Sequence, residues 1–273
     1  MAGSIKCIVV HISDDQKHTL RLRVAVELAR RFHAHLNAIY AKPEVEYPAG
    51  AIGRAMSMHY LNEVSEDERQ RSEQIRNEVA NVCGDLPSWE WHQHFGDVEK
   101  IVARFTHLAD LVITEQSPHT SLGDALISHL ADHLVTAAGC PLLLLPWEWP
   151  PGPIGTRVLI AWKNSKEASA ALRASMSFLV EANEVFILAA DEESETERPG
   201  SDVVRYLKYH GVDGKVIGTS GGDGKEIHKI ALQHHCDLLV MGAYAHSRVR
   251  ELLLGGATDW MMRHTKIPVL MRH

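Results

Sequence analysis

The two halves of this chain end alike, and that repeat constrains its fold more than any other feature. The segment from Asp110-Leu111-Val112-Ile113 to Cys140-Pro141-Leu142-Leu143-Leu144 aligns without a gap on Asp237-Leu238-Leu239-Val240 to Ile267-Pro268-Val269-Leu270-Met271. Asp110 pairs with Asp237, His119 with His246, Asp132 with Asp259 and Pro141 with Pro268, all at one offset (237 − 110 = 127). A duplicated unit of ~120 to 150 residues is a domain's worth of chain, so two copies of one fold are expected, over 1–148 and 154–273. Trp147-Glu148-Trp149-Pro150-Pro151-Gly152-Pro153 reads as a linker stiffened by three prolines. It is too short to let the halves drift apart, which predicts that they pack on each other.

Each half alternates strand and helix. Cys7-Ile8-Val9-Val10 is a short apolar run suited to a strand buried on both faces, and the turn Ser13-Asp14-Asp15 follows it. Leu20, Val24, Leu28 and Phe32 recur at helical spacing, and Leu36 to Tyr40 reads as a second strand. Lys42 to Ser65, with Pro43, Pro48, Gly50 and Gly53, lacks a period and reads as a long connection before a charged helix over Glu66 to Val82. Trp89 to His94 alternates as a strand, Gly96-Asp97 starts a helix with Asp97 as its N-cap, and Leu111 to Ile113 and Cys140 to Leu145 are strands. The second half repeats this order, with strands at Arg157–Ala161, Val185–Ala189, Lys215–Gly218, Leu238–Met241 and Ile267–Met271. Its helices are expected at Lys166–Val180, Val203–His210 and Lys225–His234. Aligning the opening strands gives an offset of 151 (158 − 7), so the first half should carry 24 extra residues (151 − 127), mostly in Lys42 to Val82. The fold expected is α/β: two repeated Rossmann-like domains, each an open, mostly parallel five-stranded sheet with helices on both faces. The apolar closing strands Leu142 to Leu145 and Val269 to Met271 would lie at sheet edges, where pairing with each other gives an internal pseudo-twofold.

Composition narrows the function classes. A chain of 273 residues, 45% hydrophobic and 23% charged, is ordinary for a soluble globular protein. Its net charge of −7 argues against a nucleic-acid binder, which needs a basic face. No run of 18 apolar residues suggests membrane insertion, and Met1-Ala2-Gly3-Ser4 leads into a strand without a signal-peptide core, so a cytoplasmic protein is expected. Cys7, Cys83, Cys140 and Cys236 form no CxxC pair and read as reduced core residues.

The candidate chemistry lies in the last third of the second half. In an open parallel sheet a ligand sits beyond the carboxyl ends of the strands, which puts Gly242 at the crevice. A glycine there allows close backbone approach, and Gly255-Gly256 before a helix can offer N–H groups and the helix dipole to a phosphate. The same glycines also serve as plain turn residues. Gly242, Ala245, Gly255 and Gly256 fall on the pattern G-x2-G-x9-G-[ST], and the segment resembles the closing motif of the universal stress protein family. The resemblance spans nearly the whole chain as a tandem form. It implies a general stress-response protein that binds ATP, with adenine near the loop after the first strand and phosphates on the glycine-rich segment. It also implies dimerisation through the closing strand, here available within one chain, and it allows a further homodimer. Family members without the motif do not hold ATP.

Several residues depart from the family pattern. Ala245 stands at the second glycine and Gly256 at the hydroxyl position, with Thr258 two residues on as a substitute donor. The family commonly has an aspartate just after the first strand, where Ala161-Trp162-Lys163-Asn164-Ser165 has Lys163. In the first half, Ser13, Glu115, Pro118, Ser128 and His129 occupy the corresponding positions, and a carboxylate and a proline there predict a site closed to nucleotides. The site expected in the second half is thus Ala161, Lys163, Ser165, Gly242, Ala245, His246, Gly255, Gly256 and Thr258. His246 either contacts a phosphate or caps a turn, and Arg248 and Arg250 either attract a polyanion or are solvated.

No G-x-S-x-G elbow or Walker lysine is present, and Gly221-Gly222-Asp223-Gly224-Lys225 reads as a helix cap. Binding with a conformational or signalling readout is therefore expected over fast catalysis, with at most slow ATP hydrolysis by family analogy. The alternative is an interaction module of the same fold that binds another small molecule or a partner protein. A metal-dependent hydrolase built on His129, Asp132 and His133 is a more distant reading, since a site needs three or four ligands and HLADH lacks the metalloprotease glutamate.

Overall fold

The computed structural model describes residues 5–15, 17–43, 54–116, 130–190, 199–220, 222–244 and 256–273, with backbone alone over 54–65 and 219–220. In the first half β1 (Cys7–Ile12), α1 (His18–Phe32), β2 (His35–Lys42), α2 (Arg54–Cys83), β3 (Trp89–Phe95) and α3 (Val98–Thr106) are followed by β4 (Leu111–Glu115), α4 (Leu130–Ala137) and β5 (Leu142–Leu145). The second half runs β6 (Arg157–Trp162), α5 (Lys166–Ala174), α6 (Met176–Leu179), β7 (Glu184–Ala190), α7 (Ser201–Tyr209) and β8 (Gly214–Ser220). It closes with α8 (Gly224–Gln233), β9 (Leu238–Gly242), α9 (Ala257–His264) and β10 (Val269–Arg272).

The inner strands are apolar because both of their faces are covered. All four residues of β5 are buried, as are the first four of β4 and β9. Within each half the strands are parallel, and the chain steps outward from β1 to β2 and β3 before returning to β4 on the other side of β1. The second half repeats this around β6. The two five-stranded sheets are joined into one ten-stranded sheet, ordered β3-β2-β1-β4-β5-β10-β9-β6-β7-β8. The joint is the antiparallel pair β5 and β10, in register Leu144 to Val269, Leu143 to Leu270 and Leu142 to Met271. Leu143 and Leu270 are equivalent residues at the offset of 127, so the pseudo-twofold axis passes between them. Buried clusters on both faces of the sheet run through both halves.

Register corrects the alignment of the opening strands. Ile8 pairs with Leu111 and Val158 with Leu238, and those partners are equivalent, so the offset is 150 (158 − 8) rather than 151. At β2 and β7 it is 149 (184 − 35), and at β3 and β8 it has fallen to 125 (214 − 89). The surplus of the first half therefore lies between β2 and β3, where α2 has 30 residues and its counterpart α7 has nine. Part of the expected long connection is helical, since α2 already begins at Arg54. Beyond Gly53 there is no proline or glycine to stop it, and Ala55, Met56, Met58 and Leu61 are helix formers. The helix expected over Lys166–Val180 breaks at Ser175, whose hydroxyl donates back to the Leu172 carbonyl at 2.9 Å.

The repeated aspartates have the same structural task in both halves. Asp110 Oδ2 accepts from the N–H groups of Lys6 (2.8 Å) and Cys7 (2.9 Å), tying the start of β1 to β4. Asp237 Oδ1 accepts from Gly155, Thr156 and Arg157 at 2.8, 2.9 and 3.1 Å. All four cysteines are free thiols, and burial pushes Cys83 up to about 11 and Cys140 and Cys236 up to about 12. Among the described residues, no helix is long and apolar enough to cross a membrane.

Candidate functional site

The return of the chain across β6 opens a crevice at the carboxyl ends of β6 and β9, the switch point of the second half. A cavity of about 280 Å³ lies there. Ala161, Trp162, Lys163 and Ser165 line it from the end of β6, Met241, Gly242 and Tyr244 from β9, and Gly256, Ala257 and Thr258 from the start of α9. Six of the nine residues expected from the sequence, Ala161, Lys163, Ser165, Gly242, Gly256 and Thr258, thus line one cavity. Ala245, His246 and Gly255 lie outside the described residues, as do Arg248, Arg250 and, in the first half, Pro118, His119, Ser128 and His129.

Three of these residues have structural tasks as well. Ser165 is the N-cap of α5, with extended backbone and its hydroxyl accepting from Ala168 N–H at 3.1 Å. A Cβ on Gly242 would lie 2.5 Å from the Ala168 nitrogen and 2.8 Å from the Glu167 carbonyl carbon. The glycine is therefore required by the close approach of α5 to β9, a reason stronger than ligand access. Thr258, 3% exposed, accepts from Tyr244 N–H at 3.2 Å through Oγ1. That bond anchors a residue in the left-handed region (φ 52°) and leaves the hydroxyl proton to be directed elsewhere.

Gly256 is the N-cap of α9 and places no side chain over its first turn. The N–H groups there carry the positive end of the helix dipole beside the cavity, with Lys163 exposed at the rim. Gly222, with φ 84°, also lines the crevice, while Asp223 caps α8 by accepting from Lys225 N–H at 3.0 Å. The described part of that segment, Gly222–Lys225, is a helix start, and Gly224 is where α8 meets α9: a Cβ there would lie 2.9 Å from Trp260 Cβ. Ala168, Leu188, Ala189, Ala190 and Ile227 complete the walls and carry no sequence signal beyond being small or apolar.

Most of the described residues at the corresponding place in the first half are larger, and several are charged. At the offset of 150, His11 stands for Ala161, Ser13 for Lys163, Asp15 for Ser165, His18 for Ala168 and Arg21 for Ala171, while Glu115 stands for Gly242. Arg21, 1% exposed, donates to the His11 carbonyl (2.6 Å), Ser13 Oγ (3.0 Å) and Asp15 Oδ2 (2.8 Å), and its other terminal nitrogen pairs with Glu115. Burial raises the Glu115 carboxyl above its ordinary value against the pull of Arg21. Burial would raise Asp15 too, but Arg21, Ser13 and the Lys17 N–H together hold it below. His11, desolvated and beside the guanidinium, is lowered to about 3 and stays neutral. Among the described residues, the first half thus holds at this place an ion cluster in which Arg21 is shared by Asp15 and Glu115, where repulsion from a bare Glu115 carboxylate had been expected. Arg21, Asp15 and His11 were the residues missed. Their only signal was a basic residue inside the apolar register of α1.

The His92 and His94 rings pack on Phe105, at 4.8 and 5.5 Å between centroids, and His92 Nε2 bonds Asn37 Oδ1 at 2.9 Å. Among the described residues no group of three or more histidine, cysteine, aspartate or glutamate side chains could hold a metal.

The universal stress protein family model matches residues 5–146 and 167–273. A universal stress protein of Synechocystis is 56% identical over 34 residues, a local match spanning 12% of this chain and 12% of that relative. The crystal structure of a universal stress protein from Archaeoglobus fulgidus superposes with a TM-score of 0.72 at 14% identity, covering 97% of this chain and 95% of that one. A functionally unknown protein from Pseudomonas aeruginosa gives a TM-score of 0.60 at 17% identity, covering 98% and 92%. At such identities these structural likenesses speak for the fold alone, and the family match rests on the sequence. The chain belongs to the universal stress protein family, as a tandem of two family units in one polypeptide.

Proposed function

We propose that this protein acts in the general stress response by binding an adenine nucleotide, ATP, or a related phosphate ligand in the crevice of its second half, with a conformational or signalling readout. The contrast between the halves carries this reading. Small residues at Ala161, Ala168 and Gly242 leave a cavity in the second half, where the first half holds His11, His18 and Glu115 around Arg21. At about 280 Å³ the cavity is close to the lower end of small-molecule sites (~300 Å³), a size suited to the nucleoside part. The phosphates would run toward the start of α9 and Lys163. Among the described residues around the crevice no nucleophile, base and orienting group stand together, so binding is favoured over fast turnover. Four free cysteines fit a reducing compartment, and we place the protein in the cytoplasm.

A second reading rests on the structural tasks of Ser165, Gly242 and Thr258. A crevice shaped for packing can hold a different small molecule or receive a partner protein.

The test is to denature freshly purified protein, identify any released small molecule by mass spectrometry per chain, and titrate ATP into the emptied protein. Near one equivalent is expected. Ala161→His, which installs the first-half residue, and Lys163→Glu should each weaken ATP by about tenfold or more, while Ser13→Glu should not. Gly242→Asp is unsuitable, because its side chain would collide with the α5 backbone. Protein that is empty and also fails to take up added ATP would sink the nucleotide reading and leave the second.

A further inference from the structure

A larger cavity, about 1030 Å³, lies apart from the crevice, where the end of β4 and the segment linking the halves meet α8, α9 and the turn after α9. Its described lining is basic and aromatic: Lys229 on α8, Arg263 on α9 and Lys266 beyond it, with Trp147 from the linking segment and Trp260 from α9. Glu148 is the one acid among the described lining residues. Arg263 is engaged by Asp259 at 2.8 Å, but no described acid lies within ion-pairing distance of Lys229 or Lys266. Lys266 is fixed by its backbone, which donates to His228 Nε2 at 3.0 Å.

Two details indicate a ligand of definite chemistry. Gln116 is 6% exposed and lines the cavity. Its Oε1 accepts from Trp147 N–H at 3.2 Å, and its Nε2 has no partner among the described residues. A buried amide donor left without an acceptor is rare in folded proteins, and a ligand oxygen would satisfy it. Trp260 packs against the rings of His228 (5.2 Å) and His264 (5.0 Å), contacts that restrain it as an aromatic wall of the cavity. Cations at the rim without a described acidic partner, a restrained tryptophan and a buried donor together match a flat molecule with a charged head. A polyanion is disfavoured by the net charge of −7.

We propose that this cavity between the halves is a second ligand site that takes a small organic anion with an aromatic body, its carboxylate, sulfonate or phosphate group set against Lys229 and Lys266. The site uses both halves of the chain, so only the tandem form could build it. It is independent of what the crevice holds.

The probe is 8-anilinonaphthalene-1-sulfonate, an aromatic monoanion, titrated into the full chain by fluorescence with and without saturating ATP. One saturable site is expected, weakened by added salt and retained in ATP. Lys229→Glu with Lys266→Glu should weaken it by about tenfold or more, Lys266→Gln by less, and Lys163→Glu not at all. Both lysines are exposed, and circular dichroism of each variant checks that the fold is kept. Unchanged affinity in the double variant, loss in Lys163→Glu, displacement by ATP, or fluorescence that never saturates would each overturn the proposal.

Discussion

At the scale of single residues, the two halves differ most at Arg21. Its buried guanidinium pairs with both Glu115 and Asp15, whose side chains are themselves largely buried, and a buried charge that loses its partner costs more than the pair contributes. Arg21→Met is expected to lower unfolding free energy by about 3 to 5 kcal/mol in urea titrations. Adding Glu115→Gln to Arg21→Met should restore a large part of it, whereas equal losses in the single and double variants would show that the ion pair is not the cause. His11 adds a pH dependence whose sign follows from its lowered value. The folded state resists protonation down to about 3 while the unfolded chain takes up a proton near 6.5, so the contribution is full above 6.5 and is lost as pH falls toward 3. Between pH 6.5 and 4 the wild-type should lose a few kcal/mol from this group, and His11→Asn should flatten that limb of the stability curve. None of this was legible from residue types alone. Glu115 was visible as a misfit in a glycine position, but its compensation depends on Arg21, 94 positions away (115 − 21), lying within the apolar register of its helix.

At the scale of elements, short helices and strands were placed well because their punctuation is local. Asp97 and Asp223 cap the helices that follow them, accepting at 3.1 and 3.0 Å, as their positions before an apolar period indicate. The start of α2 was missed because the prolines and glycines of 43–53 were read as running on to Ser65, although none lies between Gly53 and Gly84, and the break at Ser175 was not readable, since it depends on a hydroxyl turning back on its own helix. Gly242 shows how one signal can carry two meanings. Its position after a strand points to a ligand, and its geometry shows that the nearest atoms belong to α5. Gly242→Ala must displace backbone rather than a flexible side chain, so a loss of about 1 to 3 kcal/mol is expected, read as a lowered thermal midpoint. Because α5 starts at Ser165 on the crevice wall, the same shift should weaken any crevice ligand. A variant of wild-type stability would show that α5 yields freely, and would return the glycine to a role in ligand access.

At the scale of the whole molecule, the duplication is what makes the sheet continuous. The repeated aspartates, prolines and closing strands gave the tandem architecture and the pairing of the halves from the sequence. The register could not be read, because β5 is four leucines with no feature to distinguish one from the next. The observed register is centred on Leu143 and Leu270, equivalent residues, so each strand meets its counterpart as it would meet a copy of itself. An isolated half would leave that apolar edge without hydrogen-bond partners, which is unfavourable in water and invites the same antiparallel pairing between two chains. We therefore expect the proposed domain 154–273, expressed alone, to form a homodimer through β10 with Leu270 against Leu270. Light scattering after size exclusion should give twice the chain mass, and Leu270→Lys, which places like charges at the centre of the pair, should return it to monomer or leave it unfolded. The same substitution in the full chain should be milder, because Leu143 presents no opposing charge and the linker keeps the halves at high effective concentration. A stable monomeric 154–273 would show that β10 can stand as a free edge, and that the linker, rather than symmetric strand pairing, holds the tandem together.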